Sequence, residues 1–322
     1  MTPDRSKRST HVTRRRALAS LTGTVAGAIA AATLMPSAAA AQSAQPRWVQ
    51  THKESELWSG PSQQAVSFGP IPRLAYLRIE QPQQGNRVYV FNPLNGGRAW
   101  IDARDVGPAG EPPAWYANRT PNMHVPARVV GGANVRAEPR VADGNVVDQK
   151  LHNEGVEVIG QVKDEGGETW YRVGPVEFIH GSLVRLPNPI ATHPGKLMVA
   201  DLAEPTIVTA YEDGKAVYSA LALKGTVDWG TPTGFFTIQR RVANETMNSE
   251  TLGIPRDGPG GYFLKDVLFT QYFTGDGASI HYNYWSGNFG YRGSHGCLGM
   301  NYEDALWFWE WASVGTPLVI RE

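Results

Sequence analysis

The chain has 322 residues and one cysteine, Cys297. A single thiol excludes an internal disulfide framework. Charge of one sign is also lacking. Lys+Arg and Asp+Glu stand at 30 each, so no global field draws the chain to nucleic acid or an acidic membrane. No nucleic-acid partner is expected. Long apolar runs are missing too: the most apolar stretch, Ala17 to about Met35, is short and alanine-rich for a membrane span. Glycine (35) and proline (23) are plentiful. Together with many short Val/Ile/Tyr/Trp runs they point to a mainly β chain of two or three domains.

The first residues read as a leader. Arg5, Lys7 and Arg8 open a basic region that ends in Thr13-Arg14-Arg15-Arg16. The weakly apolar run follows and closes at Pro36-Ser37-Ala38-Ala39-Ala40-Ala41, small residues suited to cleavage. Residues 1–41 are therefore expected to be a signal peptide of twin-arginine type, with the protein exported to the cell envelope or beyond. No cysteine stands near the cleavage site for a lipid, and no stable membrane anchor is expected after cleavage.

Two segments then read as small β modules. In 46–107, Arg87–Phe91 and Ala99–Ile101 flank the hairpin turn Asn95-Gly96-Gly97. In 128–186, Asn134-Val135-Arg136 is followed by the strands Gly155–Ile159, Trp170–Val173 and Glu177–Ile179. Pro61 to Ile101 and Pro139 to Ile179 both span 40 positions, the mark of an internal duplication. Between them, 108–127 reads as a Pro/Gly-rich linker. Trp58, Trp100 and Trp170 are read as core residues of these modules.

From Lys196 the pattern changes. Leu197–Ala200, Thr206–Tyr211 and Ala216–Leu223 read as strands, the last two joined by the turn Glu212–Lys215. Pro232 and Gly234 are turn residues ahead of a strand through Phe236 and Ile238. Residues 242–264 contain Pro255, Gly258, Pro259, Gly260 and Gly261 and read as a long loop, either a lid or a surface excursion. Val267–Phe273 is a strand, and His281 lies at the end of the next one. Asn301 is placed to cap a helix from Tyr302 to about Ala312, with Asp304 favouring its N-terminus and Trp307 and Trp311 on one face. Thr316–Ile320 closes the domain.

The candidate chemistry lies between His281 and Cys297, 16 positions apart, with Gly287, Gly290 and Gly293 in the intervening loop. A thiol is mostly protonated at neutral pH and needs a base to become a nucleophile. His281, followed by Ser294-His295-Gly296-Cys297-Leu298, resembles the signature of the L,D-transpeptidase (YkuD) family. The resemblance covers 195–321. The second small module resembles a bacterial SH3 domain, and the first is a more divergent match.

The resemblance implies a fold of two SH3-like barrels and a β-rich YkuD domain with a short C-terminal helix. It implies an enzyme that cross-links peptidoglycan stem peptides through a thioester on Cys297, with His281 moving the proton. His295 and the Gly296 backbone would shape the substrate and oxyanion pocket, and Ser294 would order the turn. Water in place of the acceptor amine would make the protein an L,D-carboxypeptidase. The SH3-like modules would contact cell-wall peptides or glycans, and a wall-binding protein without catalysis is the remaining reading. No cofactor and no metal are implied: His281, His295 and Cys297 have no fourth ligand at zinc spacing. Three positions depart from the family. Gly299 replaces the usual Asn or Arg, Tyr282 the usual Gly or Ser, and Ser286 a histidine found in one branch.

Overall fold

The computed structural model describes residues 47–117 and 122–322. The leader reading, 1–41, lies outside the described residues.

The first module is a seven-stranded antiparallel sheet. Its order is Ser67–Ile71, Ser55–Trp58, Arg98–Asp102, Arg87–Phe91, Tyr76–Gln84, Trp48–Thr51 and Val106–Ala109. The alternation of Arg87–Phe91 turns Val88 and Val90 inward, against Val49, Leu77 and Ile101. The second module splits its strands into a five-stranded and a three-stranded sheet around Ala127, Val129, Val135, Val158 and Ile179. One arrangement occurs in both. A 3-10 turn, Ala103–Asp105 or Gly181–Leu183, leads into a short strand that returns to pair with the module's first strand. Asp102 and His180 cap these turns alike, each side chain accepting a backbone N–H two residues on. Trp100 and Trp170 are buried in the modules, whereas Trp58 is half-buried under the guanidinium of Arg87.

The 108–127 segment is not the plain linker its composition suggests. Val106–Ala109 is a strand paired with Trp48–Thr51, and Ala114–Ala117 is a helical turn. Tyr116 is buried there, its hydroxyl accepting the N–H of Tyr76 at 2.8 Å. Strand Val125–Val129 opens the second module before residue 128. Proline and glycine here end elements without preventing them.

In the C-terminal part, a five-stranded sheet runs Lys215–Leu221, Ile207–Glu212, Lys196–Asp201, Pro317–Arg321, Gly234–Thr237. Lys196–Asp201 and Pro317–Arg321 are parallel, so the chain's end closes on the domain's first strand. A four-stranded sheet runs Arg240–Asn248, Phe263–Tyr272, Ser279–Tyr282, Leu298–Met300. Between them Met198, Val208, Phe273, Ile280, Leu298, Phe308 and Leu318 form one core.

Helix Tyr302–Trp311 packs on that core, with Trp307 and Trp311 stacked at 5.7 Å on one face. Its cap is Asn301, whose side chain accepts the N–H of Asp304 at 2.7 Å. Asp304 does more than favour the helix N-terminus. It is buried and accepts from Arg128 (2.6 Å), Asn153 (2.9 Å) and Tyr218 (2.7 Å). Burial pushes its carboxyl up, against Arg128 and the Tyr218 and Asn153 hydrogen bonds that pull it down.

The long loop read over 242–264 is largely a hairpin. Arg240–Asn248 pairs along its length with Phe263–Tyr272, leaving 249–262 as the connection. Arg240–Asn248 is polar and has no fully buried residue, so it shows no period-two signal, and backbone pairing holds it.

Candidate active site

Ser279–Tyr282 and Leu298–Met300 are adjacent parallel strands, with His281 in register with Gly299. Cys297 is the residue before the second strand, so the register brings imidazole and thiol to one end of the sheet. The turn that delivers Cys297 is closed by Ser294, whose hydroxyl donates to the Cys297 carbonyl at 2.6 Å. Gly296 has φ 103°, a conformation in which a side chain is strained. Ser294, Gly296, Cys297 and His281 thus form one constellation.

His281 is buried, and its Nδ1 lies 2.8 Å from the carbonyl oxygen of Tyr282. A carbonyl only accepts, so Nδ1 carries the proton and Nε2 is left as the base. Tyr282, one of the departures from the family pattern, thus serves the site with its backbone. Burial pushes the Cys297 thiol up. The His281 hydrogen bond and charge, and hydrogen bonds from Ser279, outweigh it, and the net shift is downward.

Ser279 is a site residue that the sequence reading missed. Its buried hydroxyl lies 3.5 Å from the Cys297 sulfur. The signal was available, because residues two apart on a strand share a face and Ser279 is two before His281. Ser279→Ala is expected to move the pH midpoint of Cys297 alkylation upward, since a hydrogen bond to the thiolate is lost. A midpoint at or below the wild-type value would contradict this role.

His295 points into an aromatic wall. Its ring centroid is 4.3 Å from Trp229 and 5.1 Å from Tyr262. Burial pushes its pKa down, partly opposed by a hydrogen bond with the Gly260 backbone, so near neutral pH it is an uncharged ring. Tyr262 and Gly260 belong to the 249–262 connection, which therefore abuts the site. A Cβ on Gly260 would stand 2.5 Å from the Trp229 ring and 3.3 Å from His295 Nε2. Neither Trp229 nor Tyr262 carries a sequence signal for this role, because each comes from a separate segment. Among the described residues, no group of three or more His, Cys, Asp or Glu is placed to hold a metal ion.

Residues 195–320 match the family model of the L,D-transpeptidase catalytic domain, YkuD. This segment is a YkuD domain. It resembles curated mycobacterial proteins. A probable L,D-transpeptidase 3 of Mycobacterium tuberculosis is 32% identical over 103 residues, 31% of this chain and 38% of that protein. L,D-transpeptidase 1 of the same species is 30% identical over 114 residues, 35% of this chain and 45% of that one. The alignments thus span less than half the length of these relatives. Among solved structures, an L,D-transpeptidase from Mycobacterium smegmatis superposes with TM-score 0.38 and 22% identity, over 63% of this chain and 96% of that one. His281 and Cys297 both lie within the matched residues.

Proposed function

We propose that the protein is an exported peptidoglycan L,D-transpeptidase working through a thioester on Cys297. The observation that supports this most directly is the His281–Cys297 pair, with Nδ1 held by the Tyr282 carbonyl and the thiol drawn toward its ionised form. His281 Nε2 takes the thiol proton, and sulfur attacks the carbonyl carbon of the donor stem's third residue, whose bond to the terminal D-alanine is the one that breaks. Backbone N–H groups around Gly296 and Cys297 hold the oxyanion; one such donor is worth ~10²–10³ in rate. As the tetrahedral intermediate collapses, the C–N bond breaks and imidazolium protonates the departing D-alanine amine. An amine from a second stem then attacks the thioester, gives its proton to His281 and regenerates the thiol. The His295–Trp229–Tyr262 wall lines the approach and keeps water from the thioester. The two N-terminal modules act as SH3-like wall contacts, and the leader at 1–41 exports the chain.

The reading is tested by mixing the protein with a tetrapeptide stem and following intact mass. A tripeptide adduct on the wild type, with D-alanine released and neither seen for Cys297→Ala, is the expected result. D-alanine release that persists in Cys297→Ala would exclude the thioester route.

A further inference from the structure

Gly299 is two residues after the nucleophile, where the family carries a side chain. The backbone does not require glycine there, since Gly299 is absent from the left-handed region that glycine serves. Both its backbone polar groups are paired, the N–H to Leu223 O at 3.1 Å and the C=O to Leu223 N–H at 2.8 Å. What excludes a side chain is Asn283. A Cβ on Gly299 would stand 2.9 Å from Asn283 Nδ2 and 3.1 Å from Asn283 Cβ.

Asn283 is 3% exposed, and its backbone N–H donates to Met300 O at 2.7 Å. Its Oδ1 accepts the backbone N–H of Trp285 at 3.2 Å. The Trp285 ring is stacked on the imidazole of His281, 5.6 Å between centroids and 26° between planes. Tyr284 meets the indole edge-on at 4.9 Å and donates to Lys265 O at 2.9 Å.

We propose that Asn283 is a positioning residue for His281, acting through Trp285, and that Gly299 leaves the space that admits it. The inference rests on the reading of His281 as the base of Cys297. The Asn283 side chain closes a short turn that fixes the Trp285 peptide. The indole then covers one face of the imidazole, which limits ring rotation and favours the imidazolium formed during turnover. With Nδ1 held in the ring plane by Tyr282, the imidazole is restrained both along its plane and against its face, so Nε2 stays aimed at sulfur. On this account Gly299 is no mark of decay. It leaves room for the Asn283 side chain, which stands one residue past the strand of the base.

The test is the rate of iodoacetamide alkylation of Cys297 in the full-length protein at neutral pH, with melting followed for each variant. As Cys297 is the chain's one thiol, the readout is unambiguous and needs no substrate. Asn283→Ala is expected to slow alkylation about tenfold, and Gly299→Ala about as much, because its methyl displaces the amide. The double variant is expected to be no slower than Asn283→Ala alone. Gly299→Ala at the wild-type rate, or losses that multiply in the double variant, would overturn the proposal. So would Trp285→Leu at the wild-type rate, a variant that serves if Asn283→Ala does not fold. The expected rates in a protein that leaves stem peptides untouched would remove the proposed substrate and uphold this role. Wild-type alkylation no faster than that of a free thiol would overturn the reading of His281 and this proposal together.

Discussion

His281→Gln is expected to lower turnover by about 10²–10⁴-fold while the protein stays folded. Glutamine roughly fills the buried volume of the imidazole and can donate to the Tyr282 carbonyl. It cannot take a proton from the thiol and return it to a leaving amine. The loss should extend to the thiol's own titration. In the wild type, burial raises the Cys297 pKa, and His281 and Ser279 together more than reverse it. With His281 gone, burial is opposed by Ser279 alone, and the alkylation midpoint moves to higher pH. The wild-type protein therefore keeps its reactive thiolate to lower pH, and the variant loses it as pH falls through the raised midpoint. Near-wild-type turnover by His281→Gln would show that another group moves the proton.

The largest effect on stability is expected at Asp304. Asp304→Ala should destabilise the protein by ~3–5 kcal/mol, because it leaves the buried Arg128 guanidinium without its counter-charge. Arg128 would keep two carbonyls, Ser219 O and Asn153 O, and the face of Tyr218 at 4.9 Å. Carbonyls satisfy its N–H groups but do not neutralise it. The double change Asp304→Leu with Arg128→Met should recover most of the loss, since removing both charges also removes their desolvation cost. Urea unfolding of the three proteins checks this; a loss under 1 kcal/mol for Asp304→Ala would mean that the pair is far better solvated than its burial indicates. The pair has structural reach, because Arg128 lies in the second module and Asp304 in the first turn of the helix that follows the Cys297 strand. A second tie is nearby: His152 Nε2 lies 2.8 Å from the carbonyl of Phe289, in the loop between His281 and Cys297. The second module is built into the domain that carries the thiol.

Local chemistry made much of this legible. Asn301 caps its helix because an Asx side chain before a periodic run has one good use. The Glu212–Lys215 turn lies where Asp213 and Gly214 take positive φ between two paired antiparallel strands. His281 and Cys297 were found through their motif, and the parallel register of their strands explains why that motif needs a loop between them. Other features were not legible because they depend on distant partners. Arg240–Asn248 has no apolar alternation and is a strand only because Phe263–Tyr272 pairs with it. Asp304 looked like a helix-terminal charge because its partner stands 176 positions earlier. The reason for Gly299 was not legible because Asn283, which excludes a side chain there, comes from the segment just past the neighbouring strand.

The central claim is that Cys297 passes an acyl group from one stem peptide to another. The most direct measurement is mass spectrometry of purified tetrapeptide muropeptide after incubation with the protein and with Cys297→Ala. The account predicts a cross-linked dimer lacking one D-alanine with the wild type and none with the variant. Tripeptide monomer alone, or no product from a folded wild-type protein, would contradict it.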